Sequence, residues 1–281
     1  MNGSSKSVDQ SDILEEYHLD DRDYKHLLHH ATMECSCEEG LENIPALIID
    51  LLHIQSSSLW TEQSTQGKSS QHENDVKNIL LAHNFVEISF GKKTCGVMIS
   101  TDNQKRVKEY IRKIHTHDSQ TATIMCPSIG LKTGLYFVHQ PLGSQMPPDF
   151  ILIHVHPEGD VICPLECKSG KKIMWNDSLP KRNYIYLATA TNMGLFQTSL
   201  FTGDDECMYL LLGRETFTEL QSIEKHTKEL RDKYKTLEKT DGNDMKMSSF
   251  PRSNFSSNHI PLSKRYEVLR FVFFRLSFLK K

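Results

Sequence analysis

Apolar and polar positions change their period several times along the chain, and each change predicts an element. Residues 10–55 contain LLHHAT and ENIPALIIDLLHI, whose apolar side chains recur at helical spacing and predict two or three helices. The polar stretch QSSSLWTEQSTQGKSSQ that follows predicts a loop or linker. From Ser70 to about Asn84 the spacing of Val76, Ile79, Leu80 and Ala82 predicts another helix. Alternation then predicts strands at 85–90 and 94–100, joined by a Gly-Lys-Lys turn. A basic amphipathic helix at 103–115 comes next, then strands near 121–126, 134–139, 149–156, 160–168 and 183–189. YLLLG at 209–213 reads as a last strand. Beyond it, Leu220, Ile223, Thr227, Leu230, Tyr234 and Leu237 form a three-four stripe on a helix over 215–239. This order predicts a mixed α/β (α+β) fold in three parts. They are an acidic helical leader and linker over 1–69, a core over 70–240, and a linker with a basic aromatic C-terminal segment over 241–281.

Composition narrows the class. The chain has 281 residues, 38% of them hydrophobic and 25% charged, enough to bury a sizeable core. No apolar run reaches the ~18–20 residues of a membrane span, and the start of the chain has no signal-peptide core. Seven scattered cysteines argue against a secreted disulfide framework and for a reducing, cytoplasmic setting. The net charge of −3 conceals an asymmetry. Residues 1–75 hold 15 acids against 4 Lys/Arg, a balance of −11, and residues 76–281 hold 21 acids against 29 bases, a balance of +8. The basic part could face a polyanion. No P-loop, G-x-S-x-G or G-x-G-x-x-G is present, so nucleotide hydrolysis, serine-hydrolase and dinucleotide chemistry have no support. Cys35 and Cys37 with His29 and His30 lack zinc-ligand spacing and read as ordinary side chains.

The chemistry concentrates in PPDFILIHVHPEGDVICPLECKSGKK, residues 147–172. Two apolar runs flank His156-Pro157-Glu158-Gly159, which predicts a hairpin. Pro147-Pro148 cannot continue a helix, so Asp149 stands at the entrance of the first strand. Glu166 lies seventeen residues on, and antiparallel pairing returns it beside Asp149. Alternation puts Lys168 on the face of Glu166 and Cys167 on the other. Two carboxylates and an ammonium at one sheet end suit Mg²⁺, with Mn²⁺ as a substitute, and a phosphate-bearing substrate.

P-D, a hairpin, then E-x-K resembles the PD-(D/E)xK, or restriction-endonuclease-like, nuclease superfamily. The motif itself covers about twenty residues, and a looser likeness spans roughly 70–240. SGKKIMWNDSLPKRNYIYL is similar to restriction-enzyme segments in which W-N and a proline precede a Y-I-Y strand. The resemblance implies a mixed sheet flanked by helices and hydrolysis of double-stranded DNA, most like a type II restriction endonuclease. It further implies that Asp149 and Glu166 hold Mg²⁺ and that Lys168 is the catalytic lysine. A homodimer on a palindromic site and a cognate DNA methyltransferase are the partners that follow. A repair or recombination nuclease such as a junction resolvase fits the same residues. A non-catalytic helical interaction protein is the rival from another class.

Further residues join as candidates. Many members of the superfamily add a helical glutamate, and Glu73 fits, because it precedes Val76 and Leu80 on the inward stripe. Ser70-x-x-Glu73 also reads as a capping box, and Glu109 on the basic helix is a weaker rival. Lys171, Lys172, Trp175, Asn176, Lys181 and Arg182 crowd a loop after the motif and are expected to contact DNA phosphates and bases. His154 and His156 share a strand face and read as exposed hairpin residues. The C-terminal bases are expected on a packed terminal element with some phosphate contact.

Overall fold

Residues 43–54, 68–90, 96–116, 124–126, 129–143, 146–157, 159–170, 173–175, 179–192, 195–240, 255–257 and 262–277 are described by a computed structural model. Their elements are, in chain order, α1 (Asn43–Leu52), α2 (Lys68–Ala82), β1 (Val86–Ser89), β2 (Val97–Met98), α3 (Thr101–Thr116), β3 (Ile124–Cys126), β4 (Gly134–His139) and β5 (Phe150–Val155). Then come β6 (Asp160–Gly170), β7 (Ile173–Trp175), β8 (Ile185–Asn192), β9 (Leu195–Thr202), α4 (Asp205–Leu212), α5 (Arg214–Thr240), β10 (Phe255–Ser257) and α6 (Leu262–Ser277). No helix among these residues is long and apolar enough to cross a membrane.

One mixed sheet carries the fold, in the order β2-β1-β4-β5-β6-β8-β9, with β3 also paired to β6. β4, β5 and β6 run antiparallel, β6 and β8 parallel, and β8 and β9 antiparallel. Both faces of the central strands are apolar, so the sheet must be covered twice. Phe150 and Leu152 of β5, with Cys163 and Leu165 of β6, pack on the side of α1, α2 and α6. Ile151 and Ile153, with Ile162, pack on the side of α3, α4 and the start of α5. Alternation thus sorts one hairpin into two cores. At its turn Gly159 N–H donates to His156 O at 3.1 Å, with Gly159 at φ 138°.

Local chemistry sets the ends of the helices. Asn84, at φ 64°, takes the left-handed position after α2, while Phe85 N–H donates to Leu80 O at 3.0 Å and Asn84 N–H to Leu81 O at 3.1 Å. These two bonds satisfy carbonyls that the helix end would leave open. Gly203 is required by close approach. An added Cβ there would lie 2.0 Å from Lys181 O.

Several expectations need correction. YLLLG is the end of helix α4, not a strand. A short apolar run carries no period of its own, and here Asp204 starts a helix that Gly213 stops at φ 85°. β9 was not anticipated, because its inward positions include the polar Thr198 and Thr202. β1 and β2 pair in parallel, so the expected hairpin between them does not form. The segment after β6 holds a short strand, β7, paired with β10, and is not wholly loop. The described part of the C-terminal segment does lie on a packed terminal element, as expected. α6 is a core helix, and its Arg275 pairs with Asp204 through two nitrogens. Lys264 Nζ of the same helix donates to Leu211 O at 3.2 Å. Residues on both sides of the expected 70–240 core, in α1 and α6, therefore share one hydrophobic cluster with it. The stripe on α5 is only partly covered: Leu220 is half-buried against the core, whereas Ile223 and Leu230 are exposed. The zinc candidates at 29–37 lie outside the described residues.

If α6 is structural, its adjacent phenylalanines should differ sharply. Phe273 is fully buried and Phe274 is 48% exposed. Phe273→Ala should cost ~3–5 kcal/mol, and Phe274→Ala less than about 1 kcal/mol, in urea unfolding. Equal costs would return the segment to the surface.

Candidate active site

Strand pairing brings the acids together. Phe150 pairs with Leu165 and Ile151 with Pro164, so the next step of the ladder sets Asp149 against Glu166. Asp149 Oδ2 accepts the Cys167 N–H at 2.8 Å, which ties the entrance of β5 to β6. Along β6 the odd positions face α2. Glu166 and Lys168 continue the other face, and Lys168 Nζ donates to Glu166 Oε1 at 2.5 Å. Glu166 is buried, at 6% exposure, and its Oε2 has no hydrogen-bond partner.

Glu73 approaches from the α2 side of the sheet, near enough for its charge to act on Asp149 and Cys167. It is buried, and its Oε2 accepts from His139 Nε2 at 2.7 Å and from Gln140 Nε2 at 2.9 Å. α2 begins at Lys68, ahead of Ser70, which takes Ser70 out of the capping-box position. The inward placement of Glu73 therefore does not depend on a cap. One residue earlier, His72 Nε2 lies 3.0 Å from Thr189 Oγ1, which lies 3.0 Å from Thr198 Oγ1. That chain of buried polar groups pins the turn of α2 carrying Glu73 to β8 and β9. Burial holds His72 down at about 4 despite the charge of Glu73, so the imidazole is neutral near pH 7.

Electrostatically the site is short of cations. Burial first, and then the charge of Glu166, push Asp149 up to about 7, and Glu73 adds to the rise. The Cys167 N–H and Lys168 oppose it. Cys167, between the acids on the other face, is held far above the usual thiol range by burial and the same three carboxylates. Such repulsion is what a bound cation relieves. Among the described residues no group of three or more His, Cys, Asp or Glu side chains is placed to hold a metal ion. Mg²⁺ does not need one, because it keeps several waters and uses one or two carboxylates plus substrate oxygens. The partnerless Glu166 Oε2 and the strained Asp149–Glu166 pair fit that mode.

The other candidates fall elsewhere. Trp175 is buried and packs edge-on against Tyr186 and Phe201, with ring centroids 5.1 and 5.9 Å away, so it belongs to the core and not to a DNA-facing loop. Arg182 is committed to Asp205, with Nε 2.9 Å from Oδ1 and Nη2 bonded to Oδ2. Its fork is occupied and reads no base. Lys181 is half-buried, its backbone N–H donating to Tyr186 Oη at 2.5 Å. Lys171, Lys172 and Asn176 lie outside the described residues. Glu109 is exposed on α3 and takes no part. His154 and His156, with rings 5.6 Å apart, sit at the turn end of the hairpin, away from Asp149. His139, Gln140 and His72 were not singled out from the sequence. The one available signal was a polar pair, His139-Gln140, closing a predicted strand just before a Pro-x-Gly turn. The chain matches no protein-family model, no curated protein and no solved structure.

Asp149 makes the electrostatics testable. A carboxyl whose folded pKa is raised contributes stability that is full below its unfolded value near 3.8 and is lost as pH rises through about 7. Asp149→Asn keeps an oxygen acceptor for Cys167 N–H and removes that loss. In metal-free protein its stability advantage over the wild type should therefore grow from pH 5 to pH 8, at up to about 1.4 kcal/mol per unit. His72 titrates identically in both proteins and cancels. An advantage that does not change with pH would show that Asp149 ionises as an ordinary surface acid.

Proposed function

We propose that the chain is a Mg²⁺-dependent phosphodiester hydrolase acting on double-stranded DNA, in the manner of the PD-(D/E)xK nucleases and most like a type II restriction endonuclease. One observation carries this reading. Asp149, Glu166 and Lys168 stand together at the open end of a buried strand pair, with Glu73 close enough to raise the pKa of Asp149. An acidic trio in such a place has no packing role. With all groups ionised, Glu73, Asp149 and Glu166 against Lys168 leave a balance of −2, matching one divalent ion.

Asp149 and Glu166 would hold that ion. Bound there, Mg²⁺ supplies a Lewis acid for a phosphoryl oxygen and lowers the pKa of water. The side chain of Lys168 is 31% exposed, so its ammonium can meet an incoming phosphate while it stays beside Glu166. There it stabilises the negative charge that builds on the phosphoryl oxygens. Glu73 adds a third anion that holds the site selective for a cation. The core wall behind the pair, Ile151 and Ile162 among it, keeps bulk water to one side. Hydrolysis would leave a 3′-hydroxyl and a 5′-phosphate, as the resemblance implies. For the backbone of DNA, the exposed Lys105 and Arg106 of α3 join the exposed Arg270 of α6 as candidates, whereas Arg275 is committed to Asp204. A homodimer on a two-fold site has Ile223 and Leu230 of α5, exposed one heptad apart, as the face for a second copy.

The test is a digest of mixed plasmid and phage DNA with Mg²⁺, with the ends sequenced. Fixed ends at one short sequence support a restriction enzyme, and cutting confined to branched DNA supports a resolvase. Asp149→Ala and Glu166→Ala should abolish cleavage with the fold intact. Lys168→Ala should slow single turnovers by roughly 10²–10³ with little change in gel-shift affinity. Ca²⁺ should support binding without cutting. Full activity in EDTA would sink the metal mechanism.

A further inference from the structure

Helix α5 is longer than its own core can support. It runs for 27 residues, Arg214–Thr240. Phe217 is buried in the core and Leu220 packs against it. Among the described residues, no side chain of α5 beyond Leu220 joins either core cluster. Residues 221–240 make about 30 Å of helix at ~1.5 Å per residue. A lone helix of that length is marginal in water, and its stability has to come from packing an apolar face. The sequence provides one. Leu220, Ile223, Thr227, Leu230, Tyr234 and Leu237 follow three-four spacing, and Ile223 and Leu230 are exposed. Thr227 Oγ1 donates to Ile223 O at 2.8 Å, so its hydroxyl brings no unmet donor to the stripe.

Charges beside the stripe decide what covers it. With Leu220, Thr227 and Tyr234 at a, and Ile223, Leu230 and Leu237 at d, the g positions are Glu219, His226 and Lys233. The e positions are Glu224, Arg231 and Glu238. A parallel copy pairs each g with the following e. That sets Glu219 against Glu224 twice, with only Lys233 and Glu238 in compensation. An antiparallel copy pairs a with d and e with e. Leu220 then meets Leu237, Ile223 meets Tyr234, and Thr227 meets Leu230. Glu224 of each copy meets Arg231 of the other, and both of these positions are half-buried. The remaining flank sets His226 against Lys233, both exposed to water. No acid faces an acid.

We propose that α5 docks on α5 of a second copy of this chain as an antiparallel two-stranded coil, with the two-fold axis passing between Lys228 and Glu229. This rests on the two-fold use of α5 proposed above and adds its orientation and register. It needs neither metal nor DNA, so the seam and the nuclease can fail separately. The e-position charges select the antiparallel arrangement, as such flanking charges do in coiled coils generally.

Sedimentation equilibrium of the full chain at micromolar concentration should give twice the monomer mass. Leu230→Glu should give the monomer mass, with the near-ultraviolet circular dichroism of the aromatic core unchanged. Ile223→Glu should do the same. Charge exchange reads the orientation. Glu224→Arg alone should weaken the dimer ~10-fold or more, because Arg231 of each copy then meets an arginine. In a parallel coil the same change would strengthen the dimer, by removing the Glu219–Glu224 conflict. Mixed in equal amounts, Glu224→Arg and Arg231→Glu chains should form mostly heterodimer by native mass spectrometry, because both pairs are then restored. A monomeric wild type, a dimer indifferent to Leu230→Glu, or no enrichment of the heterodimer would overturn the seam and leave the cleavage test standing. Loss of the near-ultraviolet signal in both stripe variants would show the stripe to be core and would overturn it too. A dimer that answers as expected in a chain that cuts no DNA would keep the seam and overturn the nuclease.

Discussion

The register between β5 and β6 is the constraint on which the candidate site depends. A slip of one residue would move Asp149 off Glu166 and turn every side chain of the strand to the opposite face. Both faces resist it. Phe150, Leu152, Ile151 and Ile153 are all essentially fully buried, so neither set can be turned toward water or toward the wrong helices. β8 adds a second lock, pairing Leu165 with Ile185 and Glu166 with Tyr186. The position of the acids is thus inherited from the packing of apolar neighbours. No hydrogen bond at the site itself could enforce it at comparable strength, since a single one to a charged group contributes about 1.5–3 kcal/mol.

That placement works against stability. Each carboxylate drawn into the pocket loses water, and each raises the free energy of ionising the next. Partial compensation comes from the Cys167 N–H on Asp149, the Lys168 ammonium on Glu166, and the His139–Gln140 pair on Glu73. Glu166 Oε2 receives nothing. A fold selected for stability alone would place neutral groups here, and natural proteins keep such conflicts where function requires them. The turn of α2 behind the pocket shows the opposite character. His72, Thr189 and Thr198 are all buried and linked by hydrogen bonds between neutral groups, so the scaffold holding Glu73 carries no charge of its own.

The parts that were legible in the sequence are those set by local pattern. β4, β5 and β6 could be placed to within a residue or two because their apolar runs are bounded by Gly134, by Pro147-Pro148 and by the Pro157–Gly159 turn. From that hairpin the meeting of Asp149, Glu166 and Lys168 followed by geometry. Contacts across long separations left no local trace. Arg275 reads as a free base beside aromatics, yet it is buried on Asp204, 71 residues away. Trp175 and Arg182 look like a loop offered to DNA, and their partners, Phe201 and Asp205, lie beyond the next strand. Likewise Glu73 meets His139 across 66 residues, a pairing that neither helical period nor strand alternation encodes.

Burial of an acid is not what marks the site. Asp160, at the turn end of the same hairpin, is fully buried, and burial raises its pKa as it does that of Asp149. Its neighbours differ. Asp160 is offset by the backbone N–H groups of Ile129, at 2.7 Å, and of His156, and no other carboxylate contributes to its shift. Its charge organises a loop through the Ile129 N–H on Oδ2, although its Oδ1, like Glu166 Oε2, has no hydrogen-bond partner. Asp149 receives one N–H and faces two anions. The two ends of one strand pair thus hold the same side chain in opposite roles. At one end backbone N–H groups, and no other acid, set the surroundings of the carboxylate. At the other, three carboxylates face one lysine, and that imbalance is what the proposed cation would offset.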